Sequence, residues 1–156
     1  TATNTAVLFD VNPVNAQGEY LMRAFFPNSP RNERNVLIDV SAFQPCGTGT
    51  ATFENIVGHD IGHTLGFRHE HIRPENSAWC NEDDSFRSIT AYDRRSTMHY
   101  PFCDGEGDWS LQMTELDRIG AAFFYPNYDK YSGERCFNAE LRSDGTVNAA
   151  ACKYDK

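Results

Sequence analysis

Gly58-His59-Asp60-Ile61-Gly62-His63-Thr64-Leu65-Gly66-Phe67-Arg68-His69-Glu70-His71 is the stretch on which the reading of this chain turns. On a helix, His59 and His63 stand one turn apart and share a face, so both imidazoles can reach one ion. Gly66 can adopt a positive φ and turn the chain, which lets His69 return as a third donor. Three neutral imidazoles leave a zinc ion an open tetrahedral position for water, the arrangement of a catalytic site. The competing reading is a set of unrelated histidines on a surface helix. The glycine and third histidine at matching positions argue against it, as does the clustering of the histidines: of five, only His99 lies outside the stretch.

Working outward, Thr52 suits an N-cap and Glu54 falls in the first turn, facing the positive end of the helix dipole. Phe53, Ile56, Val57, Ile61 and Leu65 recur at helical spacing and predict one apolar face, with Gly66 as the left-handed stop. Gly58 and Gly62 sit four apart inside the helix, which predicts close approach by another element. Upstream, three runs read as strands: Ala6 to Val11 ending at Asn12-Pro13, Tyr20 to Phe26 ending at Pro27-Asn28, and Asn35 to Val40. Downstream, residues 68–107 read mostly as loop. A second helix is expected over Glu115 to Phe124, capped by Thr114, with Leu116, Ile119 and Phe123 inward and Pro126 after its end. The expected architecture is α+β, in one domain over 1–126 with a tail over 127–156 packed on it. A hairpin is expected around Ser143-Asp144-Gly145.

The 156 residues fit one domain with one core. At 40% apolar and 13% aromatic the chain belongs with globular proteins. Its net charge of −8, with no Lys/Arg cluster, gives no footprint for nucleic acid or anionic lipid. No apolar run approaches the roughly 18 residues that cross a bilayer. The start at Thr1 reads as a processed or trimmed end. Five cysteines, at 46, 80, 103, 136 and 152, include no C-x-x-C pair, which speaks for disulfides and an oxidising, extracellular compartment over a cysteine zinc site. The favoured pairs are Cys80–Cys103 and Cys136–Cys152, leaving Cys46 over; a cytosolic protein with free thiols is the alternative.

A second signature is Ser96-Thr97-Met98-His99-Tyr100-Pro101. The H-x-x-x-H-x-x-G-x-x-H pattern followed by such a methionine turn resembles the metzincin zinc peptidases. The forms GFRHEH and SxMHY look like astacins, while the strand endings Phe25-Phe26-Pro27 and Ile38-Asp39-Val40 look more like matrixins. The combination is most similar to the myxobacterial metallopeptidases named for their HEIGH motif. The resemblance covers about residues 6 to 126. It implies a metzincin-like fold, a mixed sheet above the active-site helix and a C-terminal helix, with one zinc held by His59, His63 and His69. It further implies Met98 as the apolar floor beneath the histidines, although Met98 taken alone reads as ordinary core. Tyr100 would stabilise the oxyanion, with a buried structural tyrosine as the alternative. Glu70 would match the astacin glutamate bonded by the mature N-terminus. His71 reads as structural.

Two features depart from that family. Where it carries glutamate as general base, this chain has Asp60, whose reach is shorter by one carbon–carbon bond, about 1.5 Å. The family also has a strand, a long helix and another strand ahead of the part seen here, so the fold is expected either trimmed or lacking that segment. Asp104-Gly105-Glu106-Gly107-Asp108 alternates carboxylates with glycines and suits calcium, with a solvated turn as the other reading; Asn81-Glu82-Asp83-Asp84 is a weaker candidate. The function expected is that of a secreted, monomeric zinc endopeptidase acting on protein or peptide. Asp60 and Tyr100 would be catalytic, and substrate would lie along an edge strand near Tyr20 to Phe26. The alternatives are a catalytically silent zinc-bearing domain that binds protein or peptide, and a zinc-stabilised structural module.

Overall fold

The structure, a computed structural model, describes residues 7–43, 51–76, 80, 82–83 and 85–125, together with the backbone of 136–137 and 153–154. Strands β1 (Asp10–Val14), β2 (Met22–Arg23) and β3 (Asn35–Asp39) form a mixed sheet in the order β1-β3-β2. β1 runs parallel to β3, with Val11 opposite Val36, and β2 runs antiparallel to it, with Met22 opposite Ile38. Helices α1 (Phe53–Thr64) and α2 (Glu115–Phe124) follow, and a short antiparallel pair, β4 (Cys136–Phe137) with β5 (Lys153–Tyr154), comes last. The architecture is α+β. The expected turn at 143–145 lies outside the described residues, as do Pro126, Cys46 and Cys152.

Both helix boundaries follow from local capping chemistry. The Thr52 side chain accepts from the Asn55 N–H at 3.3 Å. Thr114 and Asp117 form a reciprocal capping box, the hydroxyl oxygen taking the Asp117 N–H at 3.2 Å and the carboxylate taking the Thr114 N–H at 2.8 Å. At the end of α1, Gly66 has φ +96°, the Phe67 N–H reaches the Gly62 carbonyl and the Gly66 N–H reaches that of His63. This is a Schellman stop, whose left-handed residue favours glycine.

The strands depart from expectation. β1 starts at Asp10 and runs through Asn12-Pro13 instead of ending there. Pro13 is tolerated because β1 is an edge of the sheet, where a missing N–H need not break a ladder. The second run pairs only at Met22–Arg23, and residues 24–26 belong to no strand. The apolar face of α1 is also not one buried stripe. Ile56 meets Met22 and Val36 in the core, with Phe9, Leu21, Phe25, Ile38 and Val57 packed around them. Phe53 and Leu65 are exposed, as is Phe123 of α2, which was expected to face inward.

A cavity of about 870 Å³ lies between α1 and α2, with Ile61, Leu65, Met98, Leu116 and Phe124 in its walls. The Tyr125 hydroxyl donates to the Leu65 carbonyl at 2.7 Å, tying the two helix ends together. No helix among the described residues is long and apolar enough to cross a membrane.

The interior is unusually polar. Asp39, His59, Asp60, His71, Arg73, Ser96, Thr97 and His99 are all buried. Buried polar groups are costly unless bonded, and several of these are linked by hydrogen bonds around the histidines.

Candidate metal centre

Helix α1 presents His59 and His63 one turn apart, and the turn at Gly66 brings His69 back towards them. The ring centroids of His59 and His63 are 4.9 Å apart, and those of His63 and His69 4.6 Å. One nitrogen from each of the three lies within 4.8 Å of the others.

Their orientation is set by what the other nitrogen of each ring bonds. His59 Nδ1 donates to the Thr97 carbonyl at 2.7 Å, and His63 Nδ1 to the Phe67 carbonyl at 2.9 Å. His69 Nδ1 donates to the Glu82 carboxylate. Each Nδ1–H is thereby occupied, and each Nε2 is left as a lone-pair donor. The Nε2 atoms of His59 and His69 face one another at 3.3 Å. Two lone pairs at that distance repel unless a cation lies between them. Ligands about 2.0–2.1 Å from a tetrahedral ion stand about 3.3 Å apart. The donor set therefore fits a divalent metal that accepts imidazole nitrogen.

Protonation agrees with this. Burial, opposed in part by the bond to Thr97, lowers the pKa of His59. Burial and then the neighbouring imidazoles bring His63 down to about 4 and His69 down to about 2. All three are neutral near pH 7, the state a metal needs.

Met98 lies beneath the helix. Its Sδ would come within 2.8 Å of a Cβ placed on Gly62, so the expected close approach occurs at Gly62. Gly58 has no such neighbour. The turn that carries Met98 is held from α2. Asp117 accepts from Ser96 Oγ at 2.5 Å and from the Thr97 N–H at 2.9 Å, while Thr97 Oγ1 donates to the Leu111 carbonyl at 2.8 Å. A chain of contacts thus runs from the first turn of α2 through Thr97 to the His59 ring.

Tyr100 packs its ring against His59 and His71, nearly parallel to both, and lies 4.4 Å from the His69 ring. Burial pushes its hydroxyl up to about 12. Asp60 is buried on α1, and desolvation raises its carboxyl to about 7; its oxygens do not join the cluster of donor atoms. Glu70 accepts from Arg73 Nη1 and from the Asp93 N–H, both at 2.9 Å. Thr1, the N-terminus that the resemblance would pair with a glutamate at this position, lies outside the described residues. His71 is buried, accepts from the Tyr100 N–H at 3.4 Å and donates to Glu82 at 3.2 Å.

The carboxylates of 104–108, the candidate calcium loop, have partners within the protein. Asp104 and Glu106 both pair with Arg94, at 2.7 and 2.8 Å, and Asp108 accepts from the Ser110 N–H. The Arg94 guanidinium meets the charge of Asp104 and Glu106, and among the described residues these acids do not gather into a metal-sized cluster. The disulfide Cys80–Cys103 is present, with its Cα atoms 5.6 Å apart. Glu82 was read from the sequence only within a weak calcium candidate and not as a partner of the histidines, and Asp117 was not read as a site residue. The Thr114-x-x-Asp117 capping box was a local sign of the second; nothing local marks the first.

No protein-family model matches the chain, and no solved structure matches it. A curated protein, Nematocyst expressed protein 6 of Nematostella vectensis, is 30% identical over 102 residues, which are 64% of this chain and 29% of that relative. The chain thus spans under a third of the length of the relative it is similar to.

Proposed function

We propose that this chain is a metzincin-like zinc endopeptidase domain, secreted and monomeric, with one zinc on His59, His63 and His69. The observation that supports it is the fixing of all three Nδ1 atoms by oxygen acceptors, which turns three Nε2 lone pairs to one point. Partners of this kind orient metal-binding histidines and raise their basicity. When bound, the zinc supplies Lewis acidity, acidifying a water at its open position and polarising a scissile carbonyl.

Asp60 would be the residue that accepts a proton from the attacking water and returns it to the leaving amine. Tyr100 donates its hydroxyl to the carbonyl oxygen as negative charge develops there. Substrate adds to the edge of the sheet along β2. The chain beyond β2 carries Phe26, whose ring lies 5.4 Å from that of His63, so a peptide on this edge passes the metal ligands. The cavity between α1 and α2, whose lining includes His69, receives a substrate side chain. The Cys80–Cys103 disulfide supports an oxidising compartment.

A second reading, a zinc-bearing domain that binds peptide without turnover, is favoured by the short Asp60. The test is elemental analysis of protein purified without chelator, joined to cleavage of a broad peptide library before and after chelation. One zinc per chain with chelator-sensitive cleavage is expected. Full zinc occupancy with no cleavage favours the binding domain, and no transition metal at all overturns both readings. Chelation should also lower the melting temperature, because a ligand at 100 times its Kd stabilises the folded state by about 2.7 kcal/mol.

A further inference from the structure

His69 differs from the other two candidate ligands in what holds it. The acceptors for His59 and His63 are main-chain carbonyls of turns that are themselves bonded. Thr97 is fixed by Asp117, and Phe67 closes the Schellman stop of α1. The acceptor for His69 is the side chain of Glu82, which is 39% exposed and itself in neither helix nor strand. An anchor so placed needs something to keep it there.

Three contacts do so. The same Glu82 oxygen that accepts from His69 also accepts from the buried His71 at 3.2 Å. One residue after Glu82, Asp83 pairs with Arg68 at 2.7 Å. Two residues before it, Cys80 is bonded to Cys103, which is 1% exposed and lies three residues after Tyr100. The Asp83 pair is partly exposed and contributes little by itself. The disulfide is covalent, and it joins the Glu82 segment to the turn that follows Tyr100.

We propose that Glu82 is the positioning residue for His69, and that the Cys80–Cys103 disulfide holds Glu82 in place, so that zinc affinity depends on this disulfide. The inference rests on the metal-centre reading above. Glu82 acts in two ways. It holds the His69 tautomer with the lone pair on Nε2, and it sets a negative charge one imidazole away from the ion. Loss of such a partner weakens metal binding by about 10- to 100-fold.

The experiment measures zinc affinity of the full chain by competition with a chromophoric chelator, for wild type, Glu82→Gln, Glu82→Ala, the Cys80→Ser/Cys103→Ser pair, and that pair combined with Glu82→Ala. Visible spectra of the cobalt(II)-loaded forms report the ligand field, which a merely structural role for Glu82 would leave unchanged. Glu82→Ala is expected to weaken zinc binding by about 10-fold or more and to shift the cobalt bands. Glu82→Gln, which keeps an acceptor without the charge, should fall between it and wild type. The cysteine pair should weaken binding in the same direction, and the combined variant should bind no worse than Glu82→Ala, because both act through one contact.

Should the cysteine variant fail to fold, native protein reduced with a phosphine and assayed against the reduced fraction from mass mapping gives the same comparison. Unchanged affinity without Glu82 overturns the inference and leaves the metal centre standing. Losses that add in the combined variant overturn the role of the disulfide. Two zinc ions per wild-type chain, only one of them lost in Glu82→Ala, would make Glu82 a ligand of a second site with His69 and His71 and overturn the positioning role. A wild-type chain that binds no zinc overturns the metal-centre reading itself.

Discussion

At the scale of single residues, Asp60 decides how well the proposed chemistry can run. Aspartate on the same helical position reaches about 1.5 Å less far than glutamate, and a misplacement of about 1 Å can lower a rate by about 100-fold. Asp60→Glu is expected to raise kcat/KM on a common peptide by about 10-fold or more, with zinc content unchanged because Asp60 is outside the donor cluster. Equal or lower activity for the glutamate form would mean a site built around aspartate. The three histidines could be read from the sequence because helical repeat and a glycine turn place them by local geometry. Their anchors could not. Thr97 is 38 residues from His59, and Glu82 is 13 from His69.

At the scale of elements, the two glycines of α1 are not equivalent. A Cβ at Gly58 meets nothing within 4 Å, whereas one at Gly62 comes to 2.8 Å from the Met98 sulfur. Gly58→Ala should therefore stabilise the protein by up to about 1 kcal/mol, the helix preference of alanine over glycine. Gly62→Ala gains the same preference but must displace a buried side chain, so its urea midpoint should lie at or below that of wild type. Matched midpoints for the two variants would show that Met98 moves aside freely. Both helices stand where their caps placed them, since Thr52, Thr114 and Gly66 act on neighbouring backbone groups. The strands were harder to delimit. Whether Pro13 ends a strand depends on its being at the edge, and the edge is known only once β3 lies beside β1 and β2.

At the scale of the whole molecule, buried polar groups bind together parts of the chain that sequence leaves far apart. Asp39, 1% exposed at the end of β3, accepts from the Ser41 hydroxyl, from the Ser41 N–H at 2.9 Å and from the Ala16 N–H. Those bonds, that from the Ser41 side chain first, hold its pKa below the ordinary 3.8. A lowered carboxylate pKa stabilises the fold fully above the unfolded value and ceases to do so as pH falls through the native one. The stability difference between wild type and Asp39→Asn should therefore favour wild type, stay flat above about pH 5 and shrink below about pH 4. Denaturant titrations at several pH values would check this, and a difference independent of pH would refute it.

What the sequence determined by itself is the convergence of the three histidines on α1 and its turn, together with the caps of both helices, because each rests on contacts within a few residues. It also pointed to Cys80 and Cys103 as partners. Only the tertiary structure decided which acids serve which purpose. Asp117 and Asp39 hold backbone turns and Glu82, itself partly exposed, holds the His69 ring, while Asp104 and Glu106 are matched to Arg94. Carboxylates are chemically alike along a chain, and what distinguishes them is the partner that folding brings within hydrogen-bond distance.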